Sequence, residues 1–187
     1  MIPPESVTVT NRADDRLTIE LQPPECLLAL ELWGDRAGVE ARLAAPLPLP
    51  GKSADAGERR VLWWEPGIWL VRASAGSRTT LERALADALS AEGATTDLSG
   101  GFVRIRLSGS LWRELWMIGG VFDAESPNFG PGSVAGTVIH HMPVRLDVIS
   151  QDAADAYVPP SYAEDLIEHW THAAARLLAA PGSTRVG

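Results

Sequence analysis

His140 and His141 stand side by side, and His169 and His172 stand three apart; together they are all the histidines of this 187-residue chain. Imidazole is the side chain best matched to proton transfer near neutral pH and to borderline metal ions. Read as neighbours in a strand, TVIHH, His140 and His141 point to opposite faces, so they share neither one metal nor one substrate proton. His169 and His172 lie at i, i+3 of a helix, a spacing that can ligate a metal. No third ligand is evident beside them, and a solvated or partner-facing pair is the plainer expectation. Asp97, just before Gly100-Gly101, could activate a nucleophile. A carboxylate capping that turn with its own oxygen is the expected role, as it is for Glu65 at another turn.

The remaining chemistry is sparse. One cysteine, Cys26, excludes an internal disulfide and a thiolate zinc site, and its place at a strand start beside Leu27 and Leu28 reads as a buried, inert thiol. There is no G-x-S-x-G elbow, Walker A loop, H-E-x-x-H or dinucleotide fingerprint. The run PNFGPGSVAG (127–136) is Gly-rich but lacks the Lys-Ser/Thr that would hold phosphate and magnesium, so a sharp loop is expected. The expectation is therefore no catalytic residue, no cofactor-binding residue and no metal ligand in this chain.

The elements that would position these groups read as one plan spelled twice. LLALELWG leads to Asp35 and a helix, and FVRIRLSG leads to Ser110 and a helix; Gly34 aligns with Gly109. Strands VLWWE and IWLVRA flank Glu65-Pro66-Gly67, where Pro then Gly suits the centre of a type II turn. Strands around TVIHH and VRLDVIS occupy the matching place in the second copy. Thr79-x-x-Glu82 and Ser161-x-x-Glu164 are capping boxes opening the second and fourth helices, and Asp35 and Ser110 are N-cap candidates. Leu81, Leu85, Ala88 and Leu89 share one helical face, as do Tyr162, Leu166, Trp170, Ala173 and Leu177. In FVRIRLS, Val103, Ile105 and Leu107 alternate with Arg104 and Arg106, which predicts one dry and one wet face; Asp147 and Arg145 take the wet side of PVRLDVI. The fold class expected is α+β, a tandem duplication of β-α-β-β-α-β (ferredoxin-like) halves with antiparallel sheets and four main helices. The whole of 1–187 is expected to form one domain, of two intimate halves at about 20–98 and 99–180. Residues 1–24 read as an arm or added strand, 46–60 (PLPLPGKSADAGERR) as a mobile loop, and the tail after Ala180 as fraying.

Composition bounds the partners. Net charge is -8 with 45% hydrophobic residues, and 15 of the 16 cations are Arg, Lys52 being the exception. No basic cluster forms, so nucleic acid is not an expected partner. The N-terminus lacks the pattern of a secretory signal and no apolar run reaches membrane-spanning length, so a cytoplasmic protein is expected. Seven tryptophans are many for this length. Trp63 and Trp64 alternate faces on one strand, and Trp112 and Trp116 sit at i, i+4 on the helix SLWRELWMI, which is apolar around most of its circumference. Core and subunit interface are both open for these four residues.

Taken in order, LLALELWGD, RRVLWWEPGIWLV, LERALADAL, TTDLSGGFVRIRLSGSLWRELW, FGPGSVAGT and YVPPSYAEDLIEHW resemble the gamma subunit family of heterotetrameric sarcosine oxidase, within the aminomethyltransferase/folate-binding-like superfamily. The resemblance spans roughly residues 20–178, with DLSGGFVRIRLSGS (97–110) its strongest block and WEPGIWLV the next. It implies a gamma-type subunit without a cofactor of its own, assembled with alpha- and beta-type subunits. In those partners it implies FAD, FMN, NAD and tetrahydrofolate, and in the complex the oxidative N-demethylation of sarcosine with tetrahydrofolate as one-carbon acceptor. A stand-alone tetrahydrofolate-binding or aminomethyltransferase-like protein, with a site near His140 or Asp97, is the alternative. A small binding module that merely shares the fold is the third reading.

Overall fold

The computed structural model describes residues 8–10 and 16–179; the expected fraying of the tail lies outside them. In chain order the strands are β1 (Thr8–Thr10), β2 (Thr18–Leu21), β3 (Cys26–Leu32), β4 (Ser53–Ala56), β5 (Arg59–Glu65), β6 (Ile68–Ala73), β7 (Gly93–Asp97), β8 (Val103–Ser108), β9 (Val134–Ile139), β10 (Met142–Ser150) and β11 (Ala153–Val158). The helices are α1 (Arg36–Leu43), α2 (Arg78–Leu89), α3 (Trp112–Met117) and α4 (Pro160–Ala179). They form two compact units. One gathers the described residues up to Gln22, Val103–Pro131 and those from Gly136 on; the other holds Pro23–Phe102 and Gly132–Ala135. The described residues up to Gln22 thus group with the strands that follow Phe102.

Each unit has its own sheet, ordered β4-β5-β6-β3-β7 in one and β1-β2-β8-β11-β10-β9 in the other. Laid side by side, the orders match position for position: β3 with β8, β5 and β6 with β10 and β11, β4 with β9, and β7 with β2. The duplication is therefore real at the level of topology, and two details of the sequence reading change. The counterpart of the β5–β6 hairpin is β10–β11, turning at Gln151-Asp152, rather than the pair around His140-His141. The fourth strand of the second copy comes from ahead of the first copy: β2 pairs with β8 from Thr18↔Ser108 to Leu21↔Ile105. No strand follows α4 among the described residues, so β2 supplies the pairing that β8 would otherwise lack on that edge.

Local chemistry explains several elements. Asp35 caps α1 as expected, its carboxylate accepting from the N–H groups of Ala37 and Gly38 at 3.1 Å. Pro66-Gly67 closes the β5–β6 hairpin with Gly67 at φ 77°, the left-handed value that the type II turn requires there. The capping boxes do not form. A 3-10 turn, Ala75–Ser77, carries the chain into α2 at Arg78, so Thr79 is already helical. Pro160, pre-organised for the first helical position, opens α4 one residue before Ser161. Leu111 rather than Ser110 precedes α3, and its N–H is taken by Arg16 O at 2.9 Å.

The segment 46–60 is ordered, against the loop expectation. Leu47 is buried, Trp69 Nε1 donates to Pro48 O at 2.9 Å, and β4 pairs with β5. Three prolines deny this stretch a helix but do not prevent edge pairing. In the same unit Leu28, Leu30, Val39, Val61, Val71, Leu81, Leu85 and Leu89 form the core, so the predicted face of α2 is the buried one.

Candidate functional site

The predicted wet face of β8 carries an ion network built around a buried carboxylate. Asp155, on the neighbouring β11, is fully buried and accepts from Arg104 Nη1 at 3.0 Å and from Arg106 Nε and Nη2 at 2.7 and 2.9 Å. Asp147, also fully buried, faces Asp155 across β10 and β11. Strand alternation read these charges as solvent-facing because period-2 polarity ordinarily marks water on one side. Here Arg104 is only 9% exposed, and Arg106, which pairs with Asp155 in bidentate fashion, is 31% exposed, so ion pairing takes the place of solvent over part of this face.

Asp97 caps its turn, as expected. Its carboxylate accepts from Ser99 N at 2.9 Å and Ser99 Oγ at 2.6 Å and pairs with Arg78. Ser99 Oγ in turn accepts from Leu27 N at 3.0 Å, so the cap ties the β7 turn to the start of β3. The hydrogen bonds from Ser99 hold the Asp97 carboxyl below its ordinary value, with the Arg78 charge acting in the same direction. A depressed carboxylate contributes stability that is present above the unfolded value, near pH 4, and is lost as pH falls through the folded one. The denaturation midpoint of Asp97→Asn should therefore lie below that of the parent at pH 6. The gap should narrow as pH falls below about 4; an equal gap above and below that pH, in urea titrations, would refute the linkage. Cys26 is buried as expected, and burial pushes its thiol up, which suits an inert role.

The Gly-rich run after α3 is a loop held from within. Arg113 Nη1 donates to Ala124 O at 2.5 Å and Phe129 O at 3.0 Å, and Phe122 and Phe129 pack edge to face at 4.7 Å.

The tryptophans proposed for an interface are mostly core. Trp112 and Trp116 are 1% and 0% exposed, and Trp116 packs on Trp170 of α4 at 6.0 Å. Trp64 is also buried, edge to face with Phe102 at 5.0 Å, while Trp63 is half-buried. Trp112 and Trp116 of α3, and Trp64 of β5, are thus spent inside the chain, which corrects them as partner-facing residues. Trp33, 63% exposed at the end of β3, is the tryptophan that sequence reasoning passed over.

The histidines are where the structure departs most from the strand reading. His140 and His141 are the two central residues of the turn between β9 and β10, at φ 47° and 72°. Two successive left-handed residues make a tight hairpin turn, a position that favours Asn-Gly. In this conformation both rings lie on one side, 4.8 Å apart, and His140 stacks on His169 at 5.2 Å with 15° between planes. A cleft of about 260 Å³ is lined by His140, His141, Met142, Asp165, Glu168, His169 and His172. All four histidines of the chain thus line one cleft. The turn after α3 holds two of these histidines: Gly119 O accepts from His140 N at 2.9 Å, and a Cβ on Gly119 would stand 3.0 Å from His169 Nε2. Among the described residues, no three His, Cys, Asp or Glu side chains already converge as a metal-ligand set.

Comparison with known proteins supplies the broader frame. The family model described as "Sarcosine oxidase, gamma subunit family" matches residues 34–176. A chain of heterotetrameric sarcosine oxidase from Corynebacterium sp. U-96, solved in complex with pyrrole 2-carboxylate, superposes with a TM-score of 0.79 at 22% identity. The match covers 91% of this chain and 90% of that one. The glycine cleavage system aminomethyltransferase T from Bartonella henselae is similar in fold at a TM-score of 0.55 and 17% identity, covering 78% of this chain and 43% of that one. Comparison with curated protein sequences gave no significant match. No helix among the described residues is long and apolar enough to cross a membrane.

Proposed function

From the premise that this chain belongs to the sarcosine oxidase gamma subunit family, we propose that it is a non-catalytic subunit that acts by assembling with alpha- and beta-type subunits. The complex would oxidatively demethylate an N-methyl amino acid such as sarcosine and pass the one-carbon unit to tetrahydrofolate. In this reading FAD, FMN, NAD and tetrahydrofolate are bound by the partner subunits, and this chain contributes none of their ligands. The single domain of two intimate halves is kept as part of the same proposal. A cytoplasmic location accords with Cys26, a lone thiol that stays reduced in that compartment.

The family match over residues 34–176 carries this reading, and it favours a subunit over a stand-alone tetrahydrofolate-binding protein. Asp97, one of the two groups that such a protein would have offered, is engaged in capping a turn. With most tryptophans internal, half-buried Trp63 and exposed Trp33 are the tryptophans left to meet a partner.

Co-expression with its genomic neighbours followed by size-exclusion chromatography tests the proposal. The chain should co-elute with an alpha-type flavoprotein subunit and contribute no flavin when separated from it. A monomer that never co-elutes with such a partner would sink the idea.

A further inference from the structure

We propose that the histidine cleft between the β9–β10 turn and α4 binds a borderline divalent transition-metal ion, of the Zn²⁺ or Ni²⁺ class. His169 and His172 are its helical ligands, and Glu168 and an imidazole of the turn complete the set. The first ground is the donor pattern. Asp165, Glu168, His169 and His172 stand at i, i+3, i+4 and i+7 of α4, one stripe of a helix whose other face buries Leu166, Trp170, Ala173 and Ala174. The turn brings His140 and His141 over that stripe. No Lys or Arg lines the cleft. Neutral imidazole nitrogens beside carboxylates suit Zn²⁺, Ni²⁺ or Cu²⁺ and are a poor set for Mg²⁺ or Ca²⁺.

The second ground is the state of His169. Its Nε2 lies 3.3 Å from Ile118 O, and a carbonyl only accepts, so Nε2 carries the proton and Nδ1 keeps a lone pair. An imidazole whose second nitrogen donates to a backbone carbonyl is the usual arrangement of a metal-ligating histidine. The third ground is backbone conformation. His140 and His141 both hold left-handed dihedrals that glycine or asparagine would adopt at less cost, and strain of this kind collects at functional positions. His140, His141, Glu168 and His172 are exposed, so rotation about their side-chain bonds can draw the donors onto one ion. The site is one that closes on its metal.

The test uses the full chain stripped of metal, with ZnCl₂ or NiCl₂ as probe, followed by isothermal titration calorimetry and thermal melting. One ion should bind per chain, and at about 100-fold excess over Kd it should raise the melting temperature by roughly 5–10 °C. MgCl₂ at the same concentration should give no shift. His169→Ala and His172→Ala should lose most of the zinc shift. A second variant guards against misfolding: His140→Asn with His141→Gly installs the residues that the turn prefers. It should melt at or above the parent temperature without metal, yet lose at least half of the zinc shift. A zinc response that is absent in the parent, matched by magnesium, or kept in full by either the α4 or the turn variants would overturn the proposal.

Discussion

Asp155→Ala is expected to destabilise the chain by about 3–5 kcal/mol, the cost of leaving buried charge uncompensated. Asp155 is fully accessible to neither water nor salt: its side chain is 0% exposed, and three guanidinium N–H groups from Arg104 and Arg106 converge on its two oxygens. Removing the carboxylate leaves two cations between strands, one of them 9% exposed. The buried carboxylate of Asp147 lies opposite on β10. Chemical denaturation followed by tryptophan fluorescence measures the loss. The contrast that identifies the cause is a quadruple variant, Arg104→Met, Arg106→Met, Asp147→Leu and Asp155→Leu, which removes both buried carboxylates together with the two cations. Replacing a buried ion set by apolar side chains of similar size is commonly neutral or stabilising, so this variant should recover much of the loss. Equal damage in the single and quadruple variants would mean that the network matters through shape and not through charge.

Trp116→Ala is expected to cost about 3–5 kcal/mol in the isolated chain, the range for truncating a large buried aromatic side chain. Trp116 is 0% exposed and lies against Trp170, joining α3 to α4. Its indole N–H has no hydrogen-bond partner among the described residues, so Trp116→Phe removes volume without breaking a hydrogen bond seen there and should cost clearly less. The same denaturation measurement decides between core and interface. An interface tryptophan would leave the isolated chain as stable as before and weaken only assembly, whereas the burial seen here predicts unfolding first. A Trp116→Ala chain of unchanged stability would refute the core assignment.

How far the sequence could be read depended on the range of the interaction concerned. Asp35 was legible because an N-cap is a contact over two or three residues, and Pro66-Gly67 because a turn is set by its own dihedrals. The inward faces of α2 and α4 followed from periodicity, which demands only that some core exist. The same local reasoning failed where a nearby alternative competed: Pro160 and the 3-10 turn at Ala75–Ser77 started helices before Ser161 and Thr79 could cap them. It also failed at His140-His141, where a continuous apolar-polar pattern hid a two-residue turn without Gly, Asn or Asp to announce it.

By itself the sequence determined the class of the protein: a duplicated α+β plan, no assembled catalytic motif, an acidic chain, and an ordered set of blocks resembling the gamma subunit family. These rest on composition, periodicity and order, which are properties of the chain before it folds. Only the tertiary structure decided that β2 completes the second sheet, that Arg104 and Arg106 close on Asp155 in the interior, and that Trp112 and Trp116 are core. It also decided that four histidines from a turn and a helix line one cleft. Each of these is a contact between residues far apart in sequence. Such contacts follow from which strand pairs with which, and neither a period nor a spacing encodes that choice.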